Sequence, residues 1–574
     1  MRNRRYLTLI TVLLLCGFSQ NGLTSTPMTV QYQIFGIQGD ACNNILAKLK
    51  FEQYAASPTT ASEVNEFYGT IILPIKVALR PFGFFKAAIH TQLFRINETT
   101  WRIHIDVVPG PATMVRSVTI NIKGEGQNDA TFRTFRKTIA LKAGHRFTVA
   151  DYEKTKQALL SLGISRGYLK AQLISHSVKI DLPNNATDIL LEYDTGPRFH
   201  FGSVSFSPNP FKTSFLNRFI PFKINQAYTT PDLTALQDRL SSSGYFQQVL
   251  VQPDISKSQN STVPISVFLT PRKAHQYNLG IGYGTDTGPR GTFEWNWRRV
   301  TSTGHRFNTT LQVSPVQNYL QALYIIPGKD PLADQYSLNT TVFTNEFKEG
   351  NSRAYQLGGA YVKTKNVWKQ TISLNYQFGH FQLTGQDPQH SHFLLPGISW
   401  QRMEGDDPLF PKNGSKLTIN FQGSSKNVLA ETSFIQGAIQ GKGIYSPTDA
   451  SRFVARMDLG YTSVEDLSVL PPNLRFFAGG SQSIRGFEYQ ALGPGRYLGV
   501  ASIEYQHRII DRWYSAAFYD AGNAFNKFTD PMQRGAGIGI VWASPVGRLE
   551  LTLAKALTQA GRPLKVQFAM GTDL

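Results

Sequence analysis

The chain has 574 residues, 41% hydrophobic and 17% charged, with 58 basic against 39 acidic side chains and a net charge of +19. That length exceeds one ordinary domain, and the composition is too apolar and too weakly charged for a disordered chain. The basic residues are scattered rather than clustered, which argues against nucleic acid as a partner.

At the N-terminus, Arg2, Arg4 and Arg5 precede an apolar run from Tyr6 to Phe18. The run is shorter than the roughly 20 residues a membrane-spanning helix needs, so residues 1–25 are expected to be a signal peptide for export. Bulky Leu15 before Cys16 disfavours lipidation there. Removal of the signal leaves Cys42 alone, so no intramolecular disulfide is expected, and Cys42 should be a small buried residue.

The next 250 residues mix helix-like and strand-like stretches in three similar units, expected at residues 26–111, 112–197 and 198–275. The first has a strand Val30–Phe35, helical stretches Ala41–Leu49 and Glu63–Leu79, and paired strands Ala87–Arg95 and Trp101–Val108. The second opens with Val115–Ile122, continues through a helix Asp151–Leu162, and ends in strands Gln172–Ile180 and Asp188–Tyr193. The third has strand Phe201–Phe206, helix Pro231–Ser242, and strands Val249–Pro253 and Val263–Thr270. A helix followed by Gly-Tyr and a strand pair recurs, at Gly167-Tyr168 and at Gly244-Tyr245. A repeat of about 80 residues in β-α-α-β-β order predicts small domains in series.

From about Gln276 to the end, segments of roughly 8 to 11 residues alternate apolar with small or polar side chains between turn clusters, the pattern of barrel strands. Leu279, Ile281 and Tyr283 oppose Gly280, Gly282 and Gly284. Ile538, Ile540 and Trp542 oppose Gly537, Gly539 and Val541. Leu549, Leu551 and Leu553 oppose Arg548, Glu550 and Thr552, and Leu564, Val566, Phe568 and Met570 oppose Lys565, Gln567 and Ala569. Charge on one face and apolar groups on the other fit a polar lumen and a lipid-facing wall. Residues 276–574 leave room for about sixteen strands, the even number that bacterial single-chain barrels use.

Within this region, Gly479–Phe487 carries an arginine, Arg485, beside Gly486. Such an arginine suits neither lipid contact nor core packing; it should face water or meet a carboxylate inside a barrel. In the following strand, Ala501, Ile503 and Tyr505 form an apolar face, which turns Ser502, Glu504 and Gln506 to the lumen. Asp520, opposite in parity to Tyr519, turns inward too. No H-E-x-x-H pair or G-x-S-x-G turn occurs among the residues, so neither an enzyme nor a cofactor is expected.

The three small units look like POTRA domains, and with a barrel containing Ile484-Arg485-Gly486-Phe487 they resemble the BamA/TamA superfamily of outer-membrane assembly proteins. The fold this implies is a transmembrane antiparallel β-barrel of about sixteen strands preceded by three periplasmic α+β POTRA domains, in the outer membrane of a Gram-negative bacterium. Three units point to the TamA branch, as do Tyr193–Arg198 and Trp542–Gly547. The resemblance implies that the arginine loop folds into the lumen, with Gly480, Arg485, Gly486 and Phe487 as a latch and Glu504 and Asp520 as its partners. It implies a TamB-like inner-membrane-anchored partner, outer-membrane lipid around the barrel, and unfolded outer-membrane or autotransporter proteins as substrates.

The function it implies is insertion or translocation of autotransporters and other β-barrels through a lateral seam between first and last strands, involving Tyr277, Gly280, Gly282, Gly284, Val566 and Phe568. The glycines either weaken the first strand for that purpose or make room for the loop. The alternative function is a two-partner-secretion-type transporter that exports a dedicated passenger through the lumen. Members of the superfamily usually end in an aromatic residue, whereas this chain ends Gly571–Leu574.

Overall fold

The computed structural model describes residues 28–571 apart from 57, 59, 286, 348, 349, 386, 408 and 546. The expected signal peptide and the last three residues lie outside them. The chain divides into two compact units. One runs up to Phe201 and includes Asn225–Thr230 and Ser258–Val263; the other holds Gly202–Ile224, Pro231–Lys257 and the chain from Pro264 onward.

Each N-terminal repeat is a three-stranded mixed sheet with helices on one face. In the first, Thr29–Phe35 pairs in parallel with the central strand Thr100–Val108, which pairs antiparallel with Ala88–Arg95. Helix Asp40–Ala56 and the pair Ala61–Thr70 and Ile72–Leu79 cover it, burying Ile45, Leu49, Val64, Ile75 and Leu79 against Ile103 and Ile105. The expected single helix Glu63–Leu79 is thus two. Pro74 lacks the N–H that would continue the ladder across Ile71, so the chain breaks its axis there. Thr60 caps the earlier helix through a reciprocal pair with Glu63. Cys42 is half-buried, not fully buried as expected, because its helix position faces the rim between buried Ala41 and Ile45.

The second sheet has the order Met114–Lys123, Ala186–Asp194, Gln172–Asp181, and the third His200–Phe206, Thr262–Pro271, Phe246–Pro253. The second repeat has a helix, Ala130–Thr138, beyond those expected. Its signals are an N-cap at Asp129, whose carboxylate accepts from Thr131 N–H, and aromatic residues at Phe132 and Phe135.

The C-terminal region forms one antiparallel sheet of sixteen strands, each paired with the next, from His275–Gly284 to Leu564–Gly571. Parity follows the alternation: Leu279 and Ile281 are 85% and 89% exposed on the outer wall, while inward Gln436, Thr462, Gln506 and Thr552 are buried. The wall is apolar because it meets lipid; the lumen is polar and hydrogen-bonded. Most of the third repeat is fastened to turns at the start of the barrel. Tyr245 Oη donates to Gly304 O at 2.5 Å, Arg239 pairs with Asp330 at 2.8 Å, and Arg218 donates to Pro327 O at 2.8 Å. Gly304 is required at its turn, since a Cβ there would lie 2.2 Å from the Phe215 ring.

Candidate functional site

The eleventh barrel strand, Ser451–Val464, and the twelfth, Tyr497–Ile510, are joined by a long connection that turns back into the lumen. Its stem is a short antiparallel pair, Phe476–Ala478 with Leu492–Gly495. The Phe476 ring occupies the space over Gly460, where a Cβ would come within 2.4 Å of it. Ala478, Ile484 and Phe487 pack with Val500, Ala524 and Ala556 of the wall, so the loop carries its own apolar anchor. Gly479, Gly480 and Gly486 have φ of +100°, +104° and +92°, a region in which a side chain is strained.

Arg485 is 2% exposed. A guanidinium has five N–H donors, and here each has an acceptor. Nε and Nη2 grip Asp520 through both carboxylate oxygens at 2.8 Å each; Nη1 reaches Glu504 and, at 3.1 Å, Glu550; Nη2 also donates to Ser502 Oγ at 3.2 Å. The Arg485 backbone N–H adds a third bond to Asp520, at 3.0 Å. The guanidinium plane lies over the Phe518 ring, 3.4 Å from its centroid. Asp520 sits on the thirteenth strand, Trp513–Phe525, and Glu550 on the fifteenth, Gly547–Ala556.

Two further arginines complete the cluster. Arg548 contacts Glu550 and, at 3.7 Å, Glu504; Arg456 lies 3.9 Å from Asp520 and donates to the loop carbonyl of Gln482 at 2.6 Å. Arginines 456, 485 and 548 therefore face carboxylates 504, 520 and 550, three against three, which is how such buried charge is tolerated. The structure thus places Arg485 with both sequence-derived partners and adds Glu550, Arg548, Arg456 and Ser502. Glu550 and Arg548 already read as inward by parity. What the sequence lacked was their angular position around the barrel.

Space for the loop comes from Gly535 and Gly486, rather than from the first-strand glycines. A Cβ on Gly535 would lie 2.1 Å from Arg485 O, and one on Gly486 2.8 Å from Ala556 N. By contrast, a Cβ on Gly280 meets only Thr292, and one on Gly282 only Arg290 and Met570, all at 3.5 Å or more.

The first and last strands are the two edges of the sixteen-stranded sheet, and no ladder pairs them among the described residues. They meet where Phe568 N–H donates to Thr285 Oγ1 at 3.1 Å and the Phe568 ring approaches Tyr283 at 6.4 Å. Gly282 and Gly284 lie at this meeting point. Tyr277 instead stacks on Phe293 of the second strand, and Gly280 lies beside Thr292. Val566 is exposed on the outer wall. A cavity of about 260 Å³ lies between Tyr283, Phe568 and the loop residues Ser481–Ser483.

A polar-lumened barrel with a buried arginine loop and a train of small mixed sheets defines a class, the outer-membrane barrels with periplasmic POTRA units. A profile of the Omp85 superfamily domain matches residues 300–574, one described as POTRA domain TamA domain 1 matches 31–109, and a POTRA profile described as surface antigen variable number repeat matches 199–272. The outer membrane protein assembly factor BamA of Neorickettsia risticii is 20% identical over 468 residues, 74% of this chain and 61% of that protein. The chain thus spans about three fifths of that relative's length. The crystal structure of BamA from Haemophilus ducreyi lacking POTRA domains 1-3 superposes with a TM-score of 0.70 at 17% identity, covering 80% of this chain and 99% of that one. The chain belongs to the Omp85 superfamily that includes BamA and TamA, and lies in the Gram-negative outer membrane with its N-terminal units in the periplasm.

Proposed function

We propose that this protein is an assembly factor that inserts or translocates autotransporters and other β-barrel proteins through the seam between its first and last strands. The observation that carries this reading is the seam: two edge strands that meet through a side-chain hydrogen bond at Thr285 and a ring contact at Phe568, with no ladder among the described residues. An edge of unpaired N–H and C=O groups is a template for an incoming strand, and its chemistry is hydrogen bonding, with no covalent step. Arg485, Gly486 and Phe487 act as a latch that keeps the loop in the lumen, with Glu504, Asp520 and Glu550 as its counter-charges.

The TamA-type profile over the first repeat supports the TamA branch. On that reading, the periplasmic units dock a TamB-like inner-membrane-anchored partner, and the clients are unfolded outer-membrane proteins. Depletion followed by outer-membrane proteomics tests it: selective loss of barrel proteins is expected, and an unchanged proteome would sink the proposal. Conductance in planar bilayers separates it from passenger export through the lumen, because a plugged barrel should pass little current and an export channel a large one.

A further inference from the structure

The loop is bonded to more than the strands that supply its carboxylates. Gln567, on the last strand and 2% exposed, faces the loop backbone with both ends of its amide. Gly486 N–H donates to its Oε1 at 3.0 Å, and its Nε2 donates to Phe487 O at 3.4 Å. The side chain thus takes the place of a neighbouring strand's peptide, offering one acceptor and one donor to consecutive loop residues. Two residues away on the same inward face, Lys565 Nζ pairs with Glu488 Oε1 at 3.2 Å. Loop residues Gly486, Phe487 and Glu488 are therefore all bound to the last strand.

That strand has a full ladder on one side only, to the fifteenth. On its other side it touches the first strand through Phe568 N–H, the residue next to Gln567. Consecutive residues thus face the loop and the seam. Gly486 brings the loop against Ala556 where the fifteenth strand ends, and any side chain at Gly486 would push it off.

We propose that Gln567 is a positioning residue that makes the inserted loop and the last strand one coupled element, so that the seam parts only when the loop releases that strand. This rests on the reading of the seam given above. The test needs no client, so it stands or falls separately from the depletion experiment.

The experiment is pulsed dipolar spectroscopy on the full-length protein in liposomes, with Cys16→Ser and Cys42→Ser and nitroxides on Leu279→Cys and Leu564→Cys. Both positions are exposed on the outer wall, on either side of the seam. A second label pair, on Tyr489→Cys and Leu459→Cys, reports the seat of the loop. Gln567→Met, which keeps the shape and removes both bonds, is expected to broaden the cross-seam distance distribution at least twofold. The loop distance should hardly change, because Arg485 still holds the loop. Arg485→Lys should broaden both, and the double variant should broaden the seam less than the sum of the two. An unchanged cross-seam distribution in folded Gln567→Met, even with a lowered unfolding temperature, or strict additivity in the double variant, would overturn the coupling. If Gln567→Met fails to fold, Lys565→Gln takes its place, since Lys565 is partly exposed. A smaller broadening by Lys565→Gln supports the proposal and none refutes it.

Discussion

Arg485 shows why the loop carries arginine and not lysine. Five donors meet four oxygen-bearing partners in one plane above an aromatic ring, and an ammonium with three donors cannot serve both oxygens of Asp520 and also reach Glu504 and Glu550. Arg485→Ala would leave three carboxylates crowded without their central cation, and removing one member of such a buried cluster costs about 3 to 5 kcal/mol. The expected outcome is a lower temperature for loss of the compact heat-modifiable band and faster protease cleavage within residues 465–496. Arg485→Lys should fall between it and the parent. Asp520 accepts three bonds from Arg485 and one from Ser502, whereas Glu504 accepts one from Arg485 and one from Gln506. Asp520→Asn should therefore lower that temperature more than Glu504→Gln; the reverse order would show that Glu504 is the principal counter-charge.

Among the elements, the helix Val149–Ser165 of the second repeat shows packing overruling propensity. Gly163 lies in its last turn, where alanine would ordinarily favour the helix by about 1 kcal/mol, but a Cβ there would lie 1.8 Å from the hydroxyl of buried Tyr193. Overpacking of this kind costs roughly 1 to 3 kcal/mol, so Gly163→Ala should lower, not raise, the melting temperature followed by circular dichroism. The sheet of the same repeat carries a pH-dependent pair. Arg116, hydrogen-bonded to Asp188 and Asp181, holds the Asp188 carboxyl at about 2, below its ordinary 3.8. Because the folded value lies below the unfolded one, this contribution is complete above about pH 4 and is lost as the pH falls toward 2. Asp188→Asn should flatten that part of the acid-unfolding curve, and an unchanged curve would mean that the exposed pair contributes nothing measurable.

For the molecule as a whole, the seat of the loop and the soft first strand are built from different glycines. The loop rests against the wall at Gly535, while the atoms nearest a Cβ on Gly280 or Gly282 belong to Thr292, Arg290 and Met570, none of them in the loop. Glycine in a strand loses side-chain packing, and a β-branched residue restores it. Gly282→Val should therefore be accommodated, raise the unfolding temperature and slow client insertion into liposomes. Higher stability with undiminished insertion would show that a soft first strand is not what limits the reaction. The third repeat is held to barrel turns by Tyr245 and Arg239.

The alternation along the sequence by itself determined a barrel of about sixteen strands, the three repeats and the inward parity of Glu504, Asp520, Arg548 and Glu550, and the family resemblance made Glu504 and Asp520 the partners of Arg485. These are local properties: side chains alternate along a strand by geometry, and Glu504 and Asp520 lie on strands that follow the loop directly. Helix Ala130–Thr138 is local in the same way, since its Asp129 cap and its aromatic spacing are written in the sequence. Only the tertiary structure decided that Glu550, Arg548, Arg456 and Gln567 converge on the loop, that Gly535 receives it, and that the edge strands meet without a ladder. Parity says that a residue faces the lumen, but which lumen residues meet depends on strand number, tilt and stagger around the closed sheet, a sum over the whole barrel that no single segment carries.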